Sequence, residues 1–144
     1  KLQIMIMKLT KIIFIFTLLS SNLIAKSNYF SEGLLYYEKK DFDKAKFKFE
    51  QDIVFNPKSE KSYLYLSKIF NSQEKEELEE KNLNTVILLN PKNEEATYYL
   101  ASLKLRKSDY KGSKDLVDKL LVFCENYCNK GQNLKIKIEN SLKK

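Results

Sequence analysis

The sequence predicts an all-α protein: an array of about three antiparallel helix pairs followed by a C-terminal capping helix. The chain of 144 residues holds only 3 Gly and 2 Pro, which is little turn material for a sandwich or a barrel. The tripeptide Asn-Pro-Lys begins at Asn56 and again at Asn90, and we call this interval the repeat period. After the second copy, apolar residues such as Leu100 and Leu103, and then Leu116, Val117 and Leu120, recur at intervals of three and four, the spacing of one helix face.

The N-terminal segment 1–25 is predicted to be a secretory signal peptide, with the start of translation at Met7. Two lysines precede the apolar run 12–19, and Ala25 stands at the expected cleavage position. The run is short for a membrane span of about 20 residues, although retention of residues 8–25 as an inner-membrane anchor stays an alternative. Richness in Lys, Asn and Ile suggests an AT-rich bacterial genome, so we expect export to the periplasm or cell envelope.

The rest of the chain is predicted to consist of three units of equal length and a cap. Aligning Pro57 with Pro91 sets the unit boundaries, and Pro also disfavours a helical conformation in the residue before it. The units are 26–59, 60–93 and 94–127, followed by a capping helix over 128–144. Asp41 and Asp109 occupy matching places in the first and third units, where each can cap the second helix of its pair.

Small residues follow the same interval: Gly33, Ser67 and Ala101 are each one repeat period apart. Together with aromatic residues such as Phe49 and the proline at the unit end, this pattern resembles the tetratricopeptide repeat (TPR) over about 100 residues. The resemblance implies a right-handed superhelical array without a catalytic centre. Glu79 stands where the family has a small residue, so the second pair is expected to be splayed or shifted in register.

The resemblance also implies a binding function, because the first helices of such pairs line a concave groove that holds a peptide or a partner's helix. The groove positions carried over from the family are Phe30, Leu34 and Tyr37 in the first unit, Lys61, Leu64, Lys68 and Asn71 in the second, and Tyr98, Ser102 and Leu105 in the third. Aromatic residues are frequent interface anchors, although ordinary helix packing is the alternative interpretation of these tyrosines.

One subclass of the family is disfavoured by the sequence. Members that clamp the C-terminal carboxylate of chaperone tails use Lys, Asn and Arg at set groove positions. The matching positions here are Phe30, Leu34, Tyr65, Glu95 and Tyr99. An apolar or aromatic peptide of another envelope protein is therefore the expected partner. Nucleic acid is not expected, because the net charge of +7 arises from lysines interleaved with acids.

The composition argues against catalysis. The chain has no histidine, which excludes Ser-His-Asp and Cys-His centres as well as His-ligated metal ions; no cofactor and no metal are expected. A carboxylate-only enzyme, such as a cell-wall glycosidase, needs a close pair of carboxyl groups, and no such motif stands out. A second alternative is a structural homo-oligomer or envelope-assembly component, in which repeats stack between copies.

Cys124 and Cys128 stand close together in the sequence, at the end of the third unit. An exported chain can oxidise such a pair. A regular helix is an awkward frame for that bond, so a break near Tyr127 would favour it. A disulfide, free thiols, and metal or redox chemistry all stay open at this point.

Overall fold

The computed structural model describes residues 28–143, which form seven α-helices and no strand. The helices are α1 (Tyr29–Glu38), α2 (Phe42–Phe55), α3 (Glu60–Ser72), α4 (Glu76–Leu89), α5 (Glu94–Arg106), α6 (Tyr110–Phe123) and α7 (Cys128–Leu142). The predicted all-α helical array is confirmed. The predicted signal peptide, residues 1–25, lies outside the described range. Within 28–143, no helix is both long and apolar enough to cross a membrane.

The helices pack in the order of the chain, as the pairs α1–α2, α3–α4 and α5–α6 with α7 against the last pair. The three apolar cores each combine residues from two successive units, or from the third unit and the cap. Phe49 of the first unit packs with Ile69 of the second, and Leu83 of the second packs with Leu100 of the third. A unit of this kind cannot bury its apolar face alone, so the stack is the stable structure.

The second pair is closed and in register, so the expectation of a splayed or shifted pair is wrong. Its second helix, α4, begins and ends one repeat period after α2 and one repeat period before α6. Leu64 of α3 packs against Leu83 and Val86 of α4 in one buried core. Glu79 is accommodated because its carboxylate has partners, which are described with the site below.

The turn inside each pair contains one residue in the left-handed conformation: Lys40, Glu74 and Ser108, with φ of 59°, 56° and 60°. Each of these residues lies just after the first helix of its pair. In the first turn, the N–H of Asp41 then donates to the carbonyl of Tyr36, a contact that closes the helix end. None of these three residues is glycine. The left-handed conformation therefore costs free energy at each of the three turns.

The predicted caps are confirmed at both aspartates. Asp41 accepts a hydrogen bond from the N–H of Lys44 at 3.3 Å, and Asp109 accepts one from the N–H of Gly112 at 2.9 Å. Lys75 holds the equivalent place in the second unit and makes no side-chain cap. Side-chain capping thus fixes the start of α2 and α6, whereas α4 relies on packing and on the acids of its first turn.

Helices α3 and α5 each begin with a glutamate whose carboxylate accepts hydrogen bonds from the C-terminal end of the same unit. Glu60 accepts hydrogen bonds from the side chains of Asn90, at 3.1 Å, and Asn93. Glu94, one repeat period later, accepts the backbone N–H groups of Asn126 and Tyr127 at 2.9 and 2.8 Å. Burial acts to raise the pKa of Glu94, but these donors outweigh it and hold the pKa below its usual value.

The third unit ends in a disulfide instead of a proline. Helix α6 stops at Phe123 and α7 starts at Cys128, so the helix is interrupted between them. The structure joins Cys124 to Cys128 across this break, with 5.3 Å between their Cα atoms. Helix α7 then covers the third unit with Leu134 and Ile138, while Leu142 remains exposed.

Replacing Glu74 with glycine tests the strained turns. We expect Glu74→Gly to stabilise the fold by up to about 1 kcal/mol, because glycine adopts positive φ without steric cost. The same change at exposed Glu50, in the interior of α2, is the matched control and should destabilise by about 0.5–1 kcal/mol. Urea unfolding of the two variants measures both values. Equal destabilisation by both substitutions would contradict the assignment of strain to Glu74.

Candidate functional site

The first helices of the three pairs, together with the start of α4, surround a cavity of about 320 Å³. Its lining comes from α1, α3, α4 and α5: Tyr37, Ser67, Lys68, Asn71, Ser72, Glu79 and Tyr99. We call this cavity the central pocket. Neither α2 nor α6 contributes to this lining, and the lining groups are polar or aromatic. A pocket with such walls can bind apolar and hydrogen-bonding groups together.

Tyr65 connects the aromatic side chains on the α1 side of the groove. Its ring contacts Tyr37 edge-on at 5.0 Å and Phe30 edge-on at 5.8 Å between centroids, and it stacks on Phe49 at 5.3 Å. Edge-to-face and offset arrangements of this kind are favourable for aromatic pairs. The cluster therefore holds α1 against α3 and gives the groove a rigid aromatic wall.

A second aromatic group lies at the α5 end of the groove. Tyr98 contacts Tyr99 at 5.6 Å and Tyr127 at 5.5 Å between centroids. The ammonium of Lys130 lies 4.3 Å from the ring centroid of Tyr127, a cation–π distance. Burial, followed by the charge of Glu95, raises the pKa of both Tyr99 and Tyr127. A phenol is protonated at neutral pH even without such a shift, and of the two tyrosines only Tyr99 lines the central pocket.

Lys68 and Glu95 form the ion pair of the groove. The Nζ atom of Lys68 lies 2.8 Å from Oε1 of Glu95 and 4.6 Å from the ring centroid of Tyr65. Burial acts to lower the pKa of Lys68, but the hydrogen bond and charge of Glu95 outweigh it and the net shift is upward. The pair connects α3 to α5, and each member neutralises the other within the groove.

Glu79 forms a buried acidic wall of the central pocket. It is 2% exposed, and its carboxylate accepts hydrogen bonds from Nη2 of Arg106 at 2.6 Å and from Nδ2 of Asn71 at 2.9 Å. A buried carboxylate is costly unless it is paired and hydrogen-bonded, and both conditions hold here. Arg106 belongs to the following unit, so this wall also joins the second pair to the third.

The structure brings together only some of the predicted groove residues. Tyr37, Lys68 and Asn71 line the central pocket. Phe30 is in the aromatic wall with exposed Lys61 beside it, and Tyr98 is at the α5 end of the groove. The remaining predicted positions are partly or fully buried: Leu34 and Ser102 are half-buried, Leu105 packs into the third core, and Leu64 is buried. With 8% of its surface exposed, Leu64 offers little to a ligand. The binding roles of the others stay predictions.

Sequence reasoning left out part of the pocket. Tyr65 and Tyr99 entered only as positions that lack the carboxylate clamp, yet the first organises the aromatic wall and the second lines the cavity. Their separation by one repeat period was the signal that could have identified them. Glu79 offered no such signal, because its main partner lies 27 residues further along the chain.

No family model matches the sequence, and no curated protein matches it. Among solved structures, the TPR2B domain of yeast Sti1 in its pHsp70 complex has a TM-score of 0.73 at 15% identity, over 79% of this chain and 95% of that one. The first TPR of Spaghetti (RPAP3), bound to the HSP90 peptide SRMEEVD, has a TM-score of 0.74 at 16% identity, over 81% and 91%.

The Sgt2 TPR domain from Aspergillus fumigatus has a TM-score of 0.69 at 20% identity, over 81% of both chains. Identities this low carry information about the fold alone. The helical array of residues 28–143 is therefore similar to TPR domains, as the sequence pattern predicted. In all three cases the likeness extends over most of the solved domain, so it concerns the stack of pairs and not a single helix hairpin.

Removing Arg106 tests the buried acidic wall. We expect Arg106→Met to destabilise the fold by about 2 kcal/mol, because it leaves the Glu79 carboxylate buried with only Asn71 as a partner. The neighbouring change Lys107→Met, which breaks the more exposed pair with Glu80, should cost less than about 1 kcal/mol. Glu79→Leu combined with Arg106→Met should recover part of the loss in urea unfolding. If Arg106→Met and Lys107→Met are equally mild, the wall does not stabilise the fold.

Proposed function

We propose that the chain is an exported, non-catalytic scaffold that binds a peptide or a helix of a partner protein in the groove of its helical array. The observation that carries the proposal is the central pocket, because one open cavity collects aromatic and polar side chains from three successive first helices. The pHsp70 complex of Sti1 and the peptide complex of RPAP3 support it, since each is an array of this fold with a bound partner.

The charges of the groove disfavour a ligand that binds through a terminal carboxylate. Lys68 is the cation of the central pocket, and Glu95 already neutralises it at 2.8 Å. Phe30 and Tyr65 contact each other edge-on at 5.8 Å between centroids, in the aromatic wall. An extended segment with an aromatic or aliphatic side chain would pack on these rings, while its backbone groups hydrogen-bond to Tyr99 and Asn71.

Reversing the charge at Lys68 tests the groove. Peptides that bind the predicted mature chain, residues 26–144, would be selected from a display library. Their affinities for that chain would be measured by fluorescence polarisation. We expect Lys68→Glu to weaken the selected peptides by about tenfold or more, because it places a second acid beside Glu95 in the pocket. Lys119→Glu on α6 makes the same change in net charge away from the groove and should alter affinity less than about twofold.

Two outcomes would contradict groove binding. Equal losses in both variants would mean that overall charge, rather than the pocket, attracts the peptides. If no peptide is selected and the mass in solution rises with concentration, the structural homo-oligomer becomes the better function. Thermal melts of both variants check that each remains folded before affinities are compared.

Export is the second part of the proposal and is tested separately. When the full chain is expressed in a bacterium, we expect cleavage after Ala25, because the run 12–19 has the length of a signal-peptide core rather than that of a membrane span. Mass spectrometry of the fractionated protein should find a chain that begins at Lys26 in the periplasm. A chain that keeps residues 8–25 in the membrane fraction would establish the anchored alternative.

A further inference from the structure

A second cavity lies at the first-unit end of the groove. Its volume is about 1160 Å³, and it is surrounded by the start of α1, the end of α2 and the start of α3. Two predicted groove positions, Phe30 and Lys61, line it together with Tyr29 and Asp52. We call this cavity the α1 pocket. It shares no lining residue with the central pocket, so the groove contains two separate cavities.

Asp52 is the buried acid of the α1 pocket. It is 6% exposed, and its Oδ2 atom accepts hydrogen bonds from the hydroxyls of Ser59 and, at 2.5 Å, of Ser62. Among residues 28–143, no lysine or arginine forms an ion pair with this carboxylate. A charge withdrawn from water is unfavourable unless a counter-ion accompanies it. The two hydroxyls therefore compensate the Asp52 carboxylate only in part.

The stack of units does not require this polar cluster. One repeat period later, Val86 takes the place of Asp52 and Ala96 takes that of Ser62. Both are fully buried, in the core shared by the second and third units. The same crossing of two units is thus stable with apolar side chains, and the acid at the first crossing needs another explanation.

Ser59 contacts Asp52 in place of capping its own helix. The residue one repeat period later, Asn93, accepts the N–H of Ala96 at 2.7 Å and so caps α5. Ser59 makes no such side-chain contact at the start of α3, although serine is a favoured cap residue. The first crossing therefore lacks both an apolar core and a helix cap, and holds a carboxylate at the wall of the α1 pocket.

Burial, rather than the net charge of the rim, selects the ligand of this pocket. Exposed Lys58 and Lys61 balance Glu60 and Asp52 in number. The two ammonium groups are exposed to water, and Glu60 accepts a hydrogen bond from Asn90. Of the four charged groups only Asp52 is buried. A ligand that brings a cation to Asp52 would relieve an unfavourable burial, whereas an anion would add to it.

The aromatic rings of the α1 pocket already accept ammonium groups. The Nζ atoms of Lys48 and Lys61 lie 5.3 and 5.9 Å from the ring centroids of Tyr29 and Phe30, which are cation–π distances. A lysine or arginine side chain has an aliphatic stem that packs on such rings and a charged end that pairs with a carboxylate. It therefore matches both the walls and the acid of this pocket.

We propose that the α1 pocket binds a lysine or arginine side chain of the partner segment, with its charge on Asp52 and its stem against Phe30. The proposal rests on the groove binding proposed above and adds a basic residue to the partner. Phe30 also belongs to the aromatic wall, which reaches the central pocket through Tyr65 and Tyr37. One extended segment can therefore place its basic residue in the α1 pocket and an apolar residue on the wall.

A double-mutant cycle between chain and peptide tests the proposal. Peptides selected on residues 26–144, as above, should carry a lysine or arginine at a fixed distance from an aromatic or aliphatic residue. Asp52→Val with Ser62→Ala copies the second crossing of the stack. It should weaken such a peptide by about tenfold or more, and weaken the same peptide with methionine in place of its basic residue by less than about twofold. Asp115→Asn, at an exposed position of α6, makes the same change in net charge and should leave both affinities within about twofold.

Unfolding measurements and a further variant complete the test. In urea, the double variant should have a midpoint equal to or above that of the unchanged chain, because Val86 and Ala96 fill the equivalent place. A clearly lowered midpoint would assign the cluster to the stack instead of to a ligand. Asp52→Asn keeps the shape of the acid and provides the same binding comparison if the double variant does not fold. Selected peptides that lack a basic residue and bind the unchanged chain and Asp52→Asn equally would overturn the α1 pocket as a cation site and leave groove binding standing, whereas selection of no peptide would overturn both.

Discussion

Every helix pair in this chain depends on its neighbour, because one pair alone can bury only one side of itself. Phe49 of the first pair is fully buried only because Ile69 and Phe70 of the second lie over it. Val117 of the third is covered by Ile138 of the last helix. Each core is shared, so stability propagates along the stack through nearest neighbours. The capping helix is then a physical requirement, since the third pair would otherwise expose an apolar face.

Shared cores require units of identical geometry, and this requirement explains the repeated backbone strain. A stack stays in register only if each turn reverses the chain by the same amount. Lys40, Glu74 and Ser108 accordingly adopt nearly the same positive φ although none is glycine. Their left-handed conformation is imposed by the packing of the helices on either side, which outweighs a local preference of about 1–2 kcal/mol.

The same requirement explains which parts of the structure were predictable from the sequence. Local patterns that recur in each unit were predictable. They are the repeat period, the aspartate caps and the small residues at the helix crossing. The closed second pair was not predictable, because Glu79 is satisfied by Arg106 from another unit, 27 residues later. No local pattern records that pairing. The left-handed turns were missed for a related reason: lysine, glutamate and serine carry no signature of positive φ.

The binding groove was likewise only partly predictable from the sequence. Positions carried over from the family identified Tyr37, Lys68 and Asn71, which do line the central pocket. They also included Leu64, which is buried because it packs against Leu83 and Val86. Whether a side chain lines the groove or the core depends on how far one pair rotates against the next. That rotation is a property of the stack rather than of any single unit.

The ion pair across the groove connects this geometry to binding. Lys68 and Glu95 belong to successive units and lie 2.8 Å apart, and Lys68 lines the central pocket. A ligand that competes for either charge removes a contact between the units, whereas one that packs on Tyr65 and Tyr99 leaves the pair intact. The contact between buried Glu79 and Arg106, whose side chain is 43% exposed, also joins these two units. Because the Glu79 carboxylate is 2% exposed and accepts hydrogen bonds from both Arg106 and Asn71, this contact joins the units independently of the Lys68–Glu95 pair.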